Sequence, residues 1–567
     1  MHKNQYISII QLCNYVNDNK SSLSNNPLSS FSLILKIRKF QIKVLLCLIM
    51  IFFTSQYFSQ YNVISKNVPL QEDYNNALQE WNILYPDNHF HLSYKPVLYS
   101  SIQAFQDTIF KNKSYPKLKS LALSRVFNDA PNKRNQYQIQ ILPIIHTLQG
   151  YDGVFTSENG AGSQLYFNIN NDFTLYGSGI VYRSSFPFYI DTNIFQNQLI
   201  RNIGFPLNHQ NNFYSYYYWN AYASYSKSYF NFQAGYGKMF IGNGHRSLLL
   251  SDIAAPFPYL KLQGNFWNLQ YNVFYLLLQH YIPGSNINAF QKKYATMHTL
   301  SWNITKKFNL TLFENVVWQG TDTNRHRGFD PVYLNPVVFY RPQEFQQGSS
   351  DNVMMGLNVS YTFPKKLQLY GQLALDEFYL KEIRAGKGWW ANKQAWQIGL
   401  YALNVANIKN LNMRLEYNEA KPYTYSHGAP AQNYAHYGSP LAHPFGANFR
   451  EFIISAQYSY KKWFLKIHNV YAEIGKDSSW TKSNVGQNIF LSYTTRSKEY
   501  GNYTLQGIRT YFNHFQIDAG YLIVPVMNMR LNISVIYRKN IDTMWNLENV
   551  WFSAGITCNV FNFYRDY

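Results

Sequence analysis

From residue 137 to residue 567, apolar and polar positions alternate with a period of two. Leu165, Phe167 and Ile169 are interleaved with Gln164, Tyr166, Asn168 and Asn170. Trp267, Leu269, Tyr271 and Val273 are interleaved with Asn268, Gln270 and Asn272. Met355, Leu357, Val359, Tyr361 and Phe363 alternate with Gly356, Asn358, Ser360 and Thr362. After the turn Pro364-Lys-Lys366, Leu367, Leu369, Leu373 and Leu375 alternate with Gln368, Tyr370, Gln372 and Asp376. Leu411, Met413, Leu415 and Tyr417 face away from Asn412, Arg414, Glu416 and Asn418. Successive side chains of a strand point to opposite faces, so the pattern predicts strands with one apolar face and one face of amides and charges. A last strand is expected over residues 550–564, with Val550, Phe552, Ala554, Ile556 and Val560 on one face.

A soluble sandwich alternates in the same way, and three features favour a membrane barrel instead. Short Lys-Lys turns alternate with long irregular connections, as in outer-membrane barrels. Aromatic residues make up 18% of the chain, with 50 Tyr and 41 Phe, while charged residues make up only 14%. A soluble protein carries about 25% charged residues. Mean hydropathy is nonetheless negative, at −0.32. One greasy face, one polar face and aromatic girdles give that balance in a closed barrel.

The third feature lies near the start. Lys36, Arg38, Lys39 and Lys43 precede an apolar run at residues 44–53, and Thr54, Ser55 and Ser59 follow it. Ten residues are too few to span a membrane as a helix, which takes about 20. Basic, apolar and small-polar segments in that order form a secretory signal peptide. Residues 1–60 are therefore a leader, the signal peptide occupying about 36–60. Residues 1–35 lie upstream of any normal signal sequence, which an over-long gene model explains. Residues 61–136 are read as a small, partly helical periplasmic or plugging element, with a helix near 71–81 and a loosely helical basic stretch at 111–129. Residues 137–567 form the barrel. At around 10 residues per strand plus connections, they allow about 16–20 antiparallel strands, and about 18 is expected.

Cys13 and Cys47 fall in the leader, leaving Cys558 alone, so neither an intramolecular disulfide nor a cysteine metal cluster is available. The formal charge is +20, and residues 1–60 carry six basic and one acidic residue, which leaves +15 on the remainder. In an exported protein such charge meets lipopolysaccharide phosphates and acidic polysaccharides rather than nucleic acid. The barrel assembly machinery of the envelope is the other expected partner.

Four blocks in the strand-rich region depart from simple connections. Residues 235–252 hold four glycines beside Lys238, His245, Arg246 and Asp252. Residues 328–344 contain Arg341 and Glu344, and residues 376–390 contain Asp376, Glu377, Arg384, Trp389 and Trp390. Residues 422–451 carry His427, His436 and His443 and end on Arg450 and Glu451. The stretches Phe240-Ile-Gly-Asn-Gly-His-Arg-Ser-Leu-Leu-Leu-Ser-Asp252, Asn335-Pro-Val-Val-Phe-Tyr-Arg-Pro-Gln-Glu-Phe345 and Pro440-Leu-Ala-His-Pro-Phe-Gly-Ala-Asn-Phe-Arg-Glu451 resemble the Bacteroidota branch of the Wzi-type capsule-assembly family, with its RemB-like gliding-motility members. The resemblance extends over most of the chain from about residue 65, with an acidic residue expected where Asn243 stands. It implies an outer-membrane barrel of about 18 strands with a helical periplasmic element. It also implies a surface lectin that attaches or organises capsular polysaccharide, or a part in gliding.

Asp376 and Glu377 with the three histidines would suit a hydrolase only if acid and base converged on one point. The histidine spacings of nine and seven match no zinc pattern. No nucleophile elbow, H-E-x-x-H or phosphate loop is present. An enzyme is therefore not expected, nor any cofactor or metal. Inside a barrel, paired Arg, Glu and Asp fill the lumen and satisfy one another. The sharper positive reading is glycan binding, since sugars stack on aromatic rings and need amides and charges for their hydroxyls. Trp389 and Trp390 beside Lys387 and Arg384, and the run from Tyr214 to Trp219, offer such surfaces; an interfacial aromatic belt accounts for the same run. A diffusion porin is the alternative function.

Overall fold

A computed structural model describes residues 67–567, apart from 87–89, 99–122, 129–135, 337–350 and shorter stretches at 171, 211, 286–289, 323–324, 365, 479–482, 525–527, 544–545 and 559–560. The leader with its signal peptide, and Arg341 and Glu344, lie outside the described residues.

Among these residues, eighteen strands of eight or more residues close into an antiparallel barrel. They are β1 Gln136–Tyr151, β2 Phe155–Ile169, β3 Phe173–Ser185, β4 Phe213–Lys227, β5 Phe230–Gly237, β6 Phe257–Phe266, β7 Leu269–His280, β8 Gln291–Asn303 and β9 Phe308–Gln319. The second half comprises β10 Asn352–Phe363, β11 Leu367–Glu377, β12 Lys393–Ala402, β13 Leu411–Ala420, β14 Phe449–Tyr460, β15 Trp463–Lys476, β16 Ile508–Val524, β17 Met529–Ile541 and β18 Asn546–Cys558. Closure is made by β18 on β1, from Phe552 opposite Tyr151 to Ile556 opposite Thr147. Several strands run to 15–17 residues, longer than the ten or so that a bilayer requires.

Connections are segregated by length. On one rim they are two to eight residues long; on the other they reach 32, at residues 320–351. Short turns mark the periplasmic end of such a barrel and long loops the extracellular end. The alternation maps onto the wall as expected: Leu165, Leu369, Leu415 and Phe552 are exposed on the outside, whereas Gln164, Gln368, Glu416 and Ser553 are buried on the inside.

Expectations change at two strand ends. Trp267 and Asn268 do not belong to a strand but form the tight β6–β7 turn, Trp267 standing in the left-handed region with φ of 51°. The last strand stops at Cys558 instead of continuing to Tyr564. Residues 561–567 turn into the lumen, where Asn562 and Tyr564 donate to Asp252 at 2.8 Å each and Arg565 donates to Glu158 at 2.8 Å.

The lumen is filled. Helix α1, Glu72–Leu84, lies at the periplasmic mouth, its Leu78 and Trp81 packing on Val68, Leu92 and Val97. Acidic Glu72 and Asp73 open its first turn, where the helix dipole favours negative charge. Of the stretch 111–129, expected to be loosely helical, the described part Leu123–Asn128 is a strand paired with β1, since strand pairing satisfies its backbone groups. From the extracellular rim, residues 238–256 and 421–448 fold inward. Leu248, Leu249 and Leu250 are fully buried against wall residues such as Phe274, Met297, Phe313 and Ala395. A trough in the wall receives them. Gly356, Ala374, Ala395 and Ala420 are register partners on β10–β13, and a Cβ on Gly356 would come within 2.4 Å of Leu249. The inward face of β7–β9 is apolar where the in-folded segment covers it, at Phe274, Leu276, Leu278, Ala295 and Met297, and keeps its amides and hydroxyls at Gln270, Asn272, Thr299, Ser301 and Thr311.

Candidate functional site

The Gly-rich block 235–252 owes its inward path to partners on other elements. Glu416 on β13 accepts the main-chain N–H groups of His245 at 2.7 Å and Arg246 at 3.0 Å, and also the Tyr370 hydroxyl at 2.8 Å. The Arg246 side chain, 1% exposed, pairs with Glu451 at 3.2 Å and Asp566 at 3.0 Å. His443 closes the group on the other oxygen of Glu451 at 2.8 Å. Asn243 meets the amide of Asn358 at 2.9 Å, so a neutral contact occupies the place where an acid was expected. Lys238 donates to the main-chain oxygen of Asp252 at 3.0 Å and lies over the Tyr218 ring.

His245 sits off the strands, with Nδ1 3.5 Å from Glu72 and Nε2 3.2 Å from Asp566. Burial opposes its charge, but these two carboxylates outweigh burial and Arg246, and raise its pKa to about 9. His468 reaches the same Asp566 oxygen at 2.9 Å and is oriented by Ser455 at 2.8 Å. In-folded segment, α1, wall and C-terminal residues thus meet at one point. Arg246 shares that Asp566 oxygen, and its charge disfavours a divalent cation there.

The third block divides. Asp376 and Glu377 pair with buried Lys393 at 3.0 and 3.2 Å, and Asp376 accepts the N–H of Tyr425 at 2.8 Å. Arg384 does not join them: it lies exposed on the short helix α2, Leu380–Ala385, because Lys393 already occupies the carboxylates. Trp389 and Trp390 reach the extracellular face. Both indole N–H groups donate to one oxygen of Glu499 at 3.0 Å, and Arg496 pairs with Glu499 while lying 4.4 Å over the Trp390 ring. Tyr493 packs on Trp390 at 4.7 Å and Tyr379 on Trp389 at 6.4 Å. Gly388, with φ of 63–65° like its neighbour Gly386, brings this loop against residues 501–502; a Cβ there would lie 2.5 Å from the Asn502 oxygen. The result is a partly exposed aromatic platform edged by a cation and an anion.

Arg450 and Glu451, adjacent in sequence, face opposite sides of β14. Glu451 enters the network above, whereas Arg450 is exposed and pairs with Glu419 at 3.1 Å. The tyrosine run splits likewise. Tyr214, Tyr216 and Tyr218 are buried inward, Tyr216 stacking on Tyr182 at 4.9 Å, while Tyr217 and Trp219 are exposed outward. His427, His436 and His443 have separate partners: the Ala429 N–H, the Gln279 N–H with the Pro256 oxygen, and Glu451. Glu416, Lys393, Glu499, Arg496 and Asp566 were missed as site residues in the sequence. Glu416 carried one signal, a carboxylate on an otherwise amide-rich strand face.

The profile of the family described as capsule assembly protein Wzi matches residues 147–542. Among solved structures, the chain is similar to Wzi of Escherichia coli, described as a carbohydrate-binding β-barrel of the outer membrane involved in group 1 capsule assembly. Identity is 14% and the TM-score 0.53, over 87% of this chain and 99% of that one. OprD of Pseudomonas aeruginosa is similar at 8% identity and a TM-score of 0.40, over 76% of this chain and 96% of its own. OccAB4 of Acinetobacter baumannii is similar at 8% and 0.39, over 74% and 97%. No curated protein matches the chain.

Proposed function

The chain belongs to the Wzi capsule assembly protein family, and from that premise we propose that it is a surface lectin of the outer membrane that holds acidic polysaccharide on its extracellular loops. The observation that carries the reading is the platform of Trp389, Trp390, Tyr379 and Tyr493, edged by Arg496 and Glu499, on the rim of long loops. Ring faces supply stacking for sugars, worth about 0.5–1.5 kcal/mol per aromatic pair in proteins, and the charged edge supplies partners for hydroxyls. The excess of +15 on residues 61–567 favours an acidic polymer over a neutral one. The wall meets lipopolysaccharide outside this rim, and the barrel assembly machinery inserts it. The lumenal ion pairs hold the filling in place and have no catalytic part.

Purified barrel should retain its own cell's surface polysaccharide, less so once added salt shortens the screening length to about 8 Å. Trp389→Ala with Trp390→Ala should lower retention while heat-modifiable gel mobility stays unchanged. Cells lacking the protein should shed more polysaccharide or spread less on a surface. A barrel that ignores the polymer at low salt and conducts ions steadily in a bilayer would replace this reading with a porin.

A further inference from the structure

The long-loop rim also contains a cavity of about 310 Å³. Connections 186–212, 281–290, 421–448 and 477–507 contribute to it, and Tyr567 lines it from the C-terminal segment. Small-molecule sites run from about 300 to 1,000 Å³, so the space suits a short ligand and not a run of polymer. Asn193, Asn197 and Gln487 bring amides, Phe490 and Tyr567 bring rings, and Arg201 brings a charge. Ile253 lines it as well, and the buried Arg246 lies 5.6 Å from the centre of the Tyr567 ring.

Arg201 is the telling residue. Its Nε donates to the Asn193 side chain at 2.9 Å, and its guanidinium lies 4.9 Å from the centre of the Tyr567 ring. Arg246, Arg530 and Arg565 each meet a carboxylate within 3.0 Å. No described carboxylate lies within ion-pair distance of Arg201, although it is partly buried. Burial lowers its pKa, a cost that an incoming anion would relieve. The guanidinium fork matches a carboxylate in a bidentate manner, and amides and rings match the hydroxyls and apolar face of a sugar.

We propose that this cavity is a second glycan site, distinct from the tryptophan platform, which takes the acidic terminal residue of a polysaccharide chain. It rests on the reading that the protein binds acidic glycan. A space of about 310 Å³ has room for a chain end, whereas an internal residue would need room for the polymer on both sides of it. The platform then holds the length of the chain and the cavity fixes its end.

The test uses full-length barrel in detergent at low salt, titrated calorimetrically with digalacturonate, with cellobiose as the neutral control and long polygalacturonate in a retention assay. Digalacturonate should bind and cellobiose should not. Arg201→Gln should weaken digalacturonate binding at least tenfold, and Asn197→Trp, which fills the cavity and keeps the cation, should do the same. Trp389→Ala with Trp390→Ala should lower polymer retention and leave digalacturonate affinity unchanged. Retained polymer with no digalacturonate binding, or equal affinity in Arg201→Gln, would overturn the cavity site and leave the lectin reading standing. Absence of binding to both polymer and dimer would overturn both.

Discussion

Residues 235–252 and 376–390 are built from the same materials, glycines beside basic and aromatic side chains, yet Arg246 is buried in the lumen and Arg384 is exposed on an extracellular loop. Nothing in the immediate sequence separates them. The difference lies in what waits opposite. Arg246 meets Glu451 and Asp566, 205 and 320 residues further along, and Glu416 caps the backbone beside it. Arg384 finds the nearby carboxylates of Asp376 and Glu377 already held by Lys393. A buried cation is a statement about distant anions, and charge density alone does not choose between inside and outside.

The largest expected effect breaks the inner member of the comparison. Arg246→Ala leaves buried Glu451 without its cation and Asp566 with its histidine partners alone, and loss of one partner of a buried pair costs on the order of 3–5 kcal/mol. The temperature at which the folded barrel loses its fast gel mobility should drop clearly, and an unchanged transition would place Arg246 in water. Asp376→Ala should cost less, about 1–3 kcal/mol, because Lys393 keeps Glu377 and the Ser426 oxygen. The same gel assay ranks the two, and a larger drop for Asp376 would refute the ranking.

A smaller effect comes from pH. His245 is held at about 9 in the folded protein, above its ordinary value of about 6.5, by Glu72 and Asp566 against burial and Arg246. Its stabilisation is fully present below pH 6.5 and is lost as pH rises through 9. The transition temperature should therefore fall between pH 7 and 10 by more in wild type than in His245→Asn; parallel curves would remove the histidine from the network. Least of all, Arg384→Ala should stay within about 0.5 kcal/mol of wild type in the same assay. A drop comparable to that of Asp376→Ala would show that the outer block is also built inward.

The wall was legible because its signal is local: a two-residue period survives wherever one face meets lipid and the other meets polar groups. The strand count follows from chain length for the same reason. The filling was not legible. Residues 550–567 keep their alternation past Cys558, but beyond it Asn562, Tyr564 and Asp566 spend that alternation on Asp252, His245 and Arg246 instead of on a neighbouring strand. Periodicity gives the faces of an extended segment and not what it pairs with. Glu499 beneath the tryptophans was hidden likewise, since it is 109 residues from Trp390 and lies in a loop without period.

The trough of small residues also bears on strand register. Gly356, Ala374, Ala395 and Ala420 come from four strands and line up only when β10 to β13 are paired in native register. A slip of one residue in any of them turns its small side chain toward lipid and brings a bulkier neighbour, such as Trp396 beside Ala395, to the inner face. Leu248–Leu250 would then have no seat. The seat for the three leucines thus exists only when three seams are in native register at once.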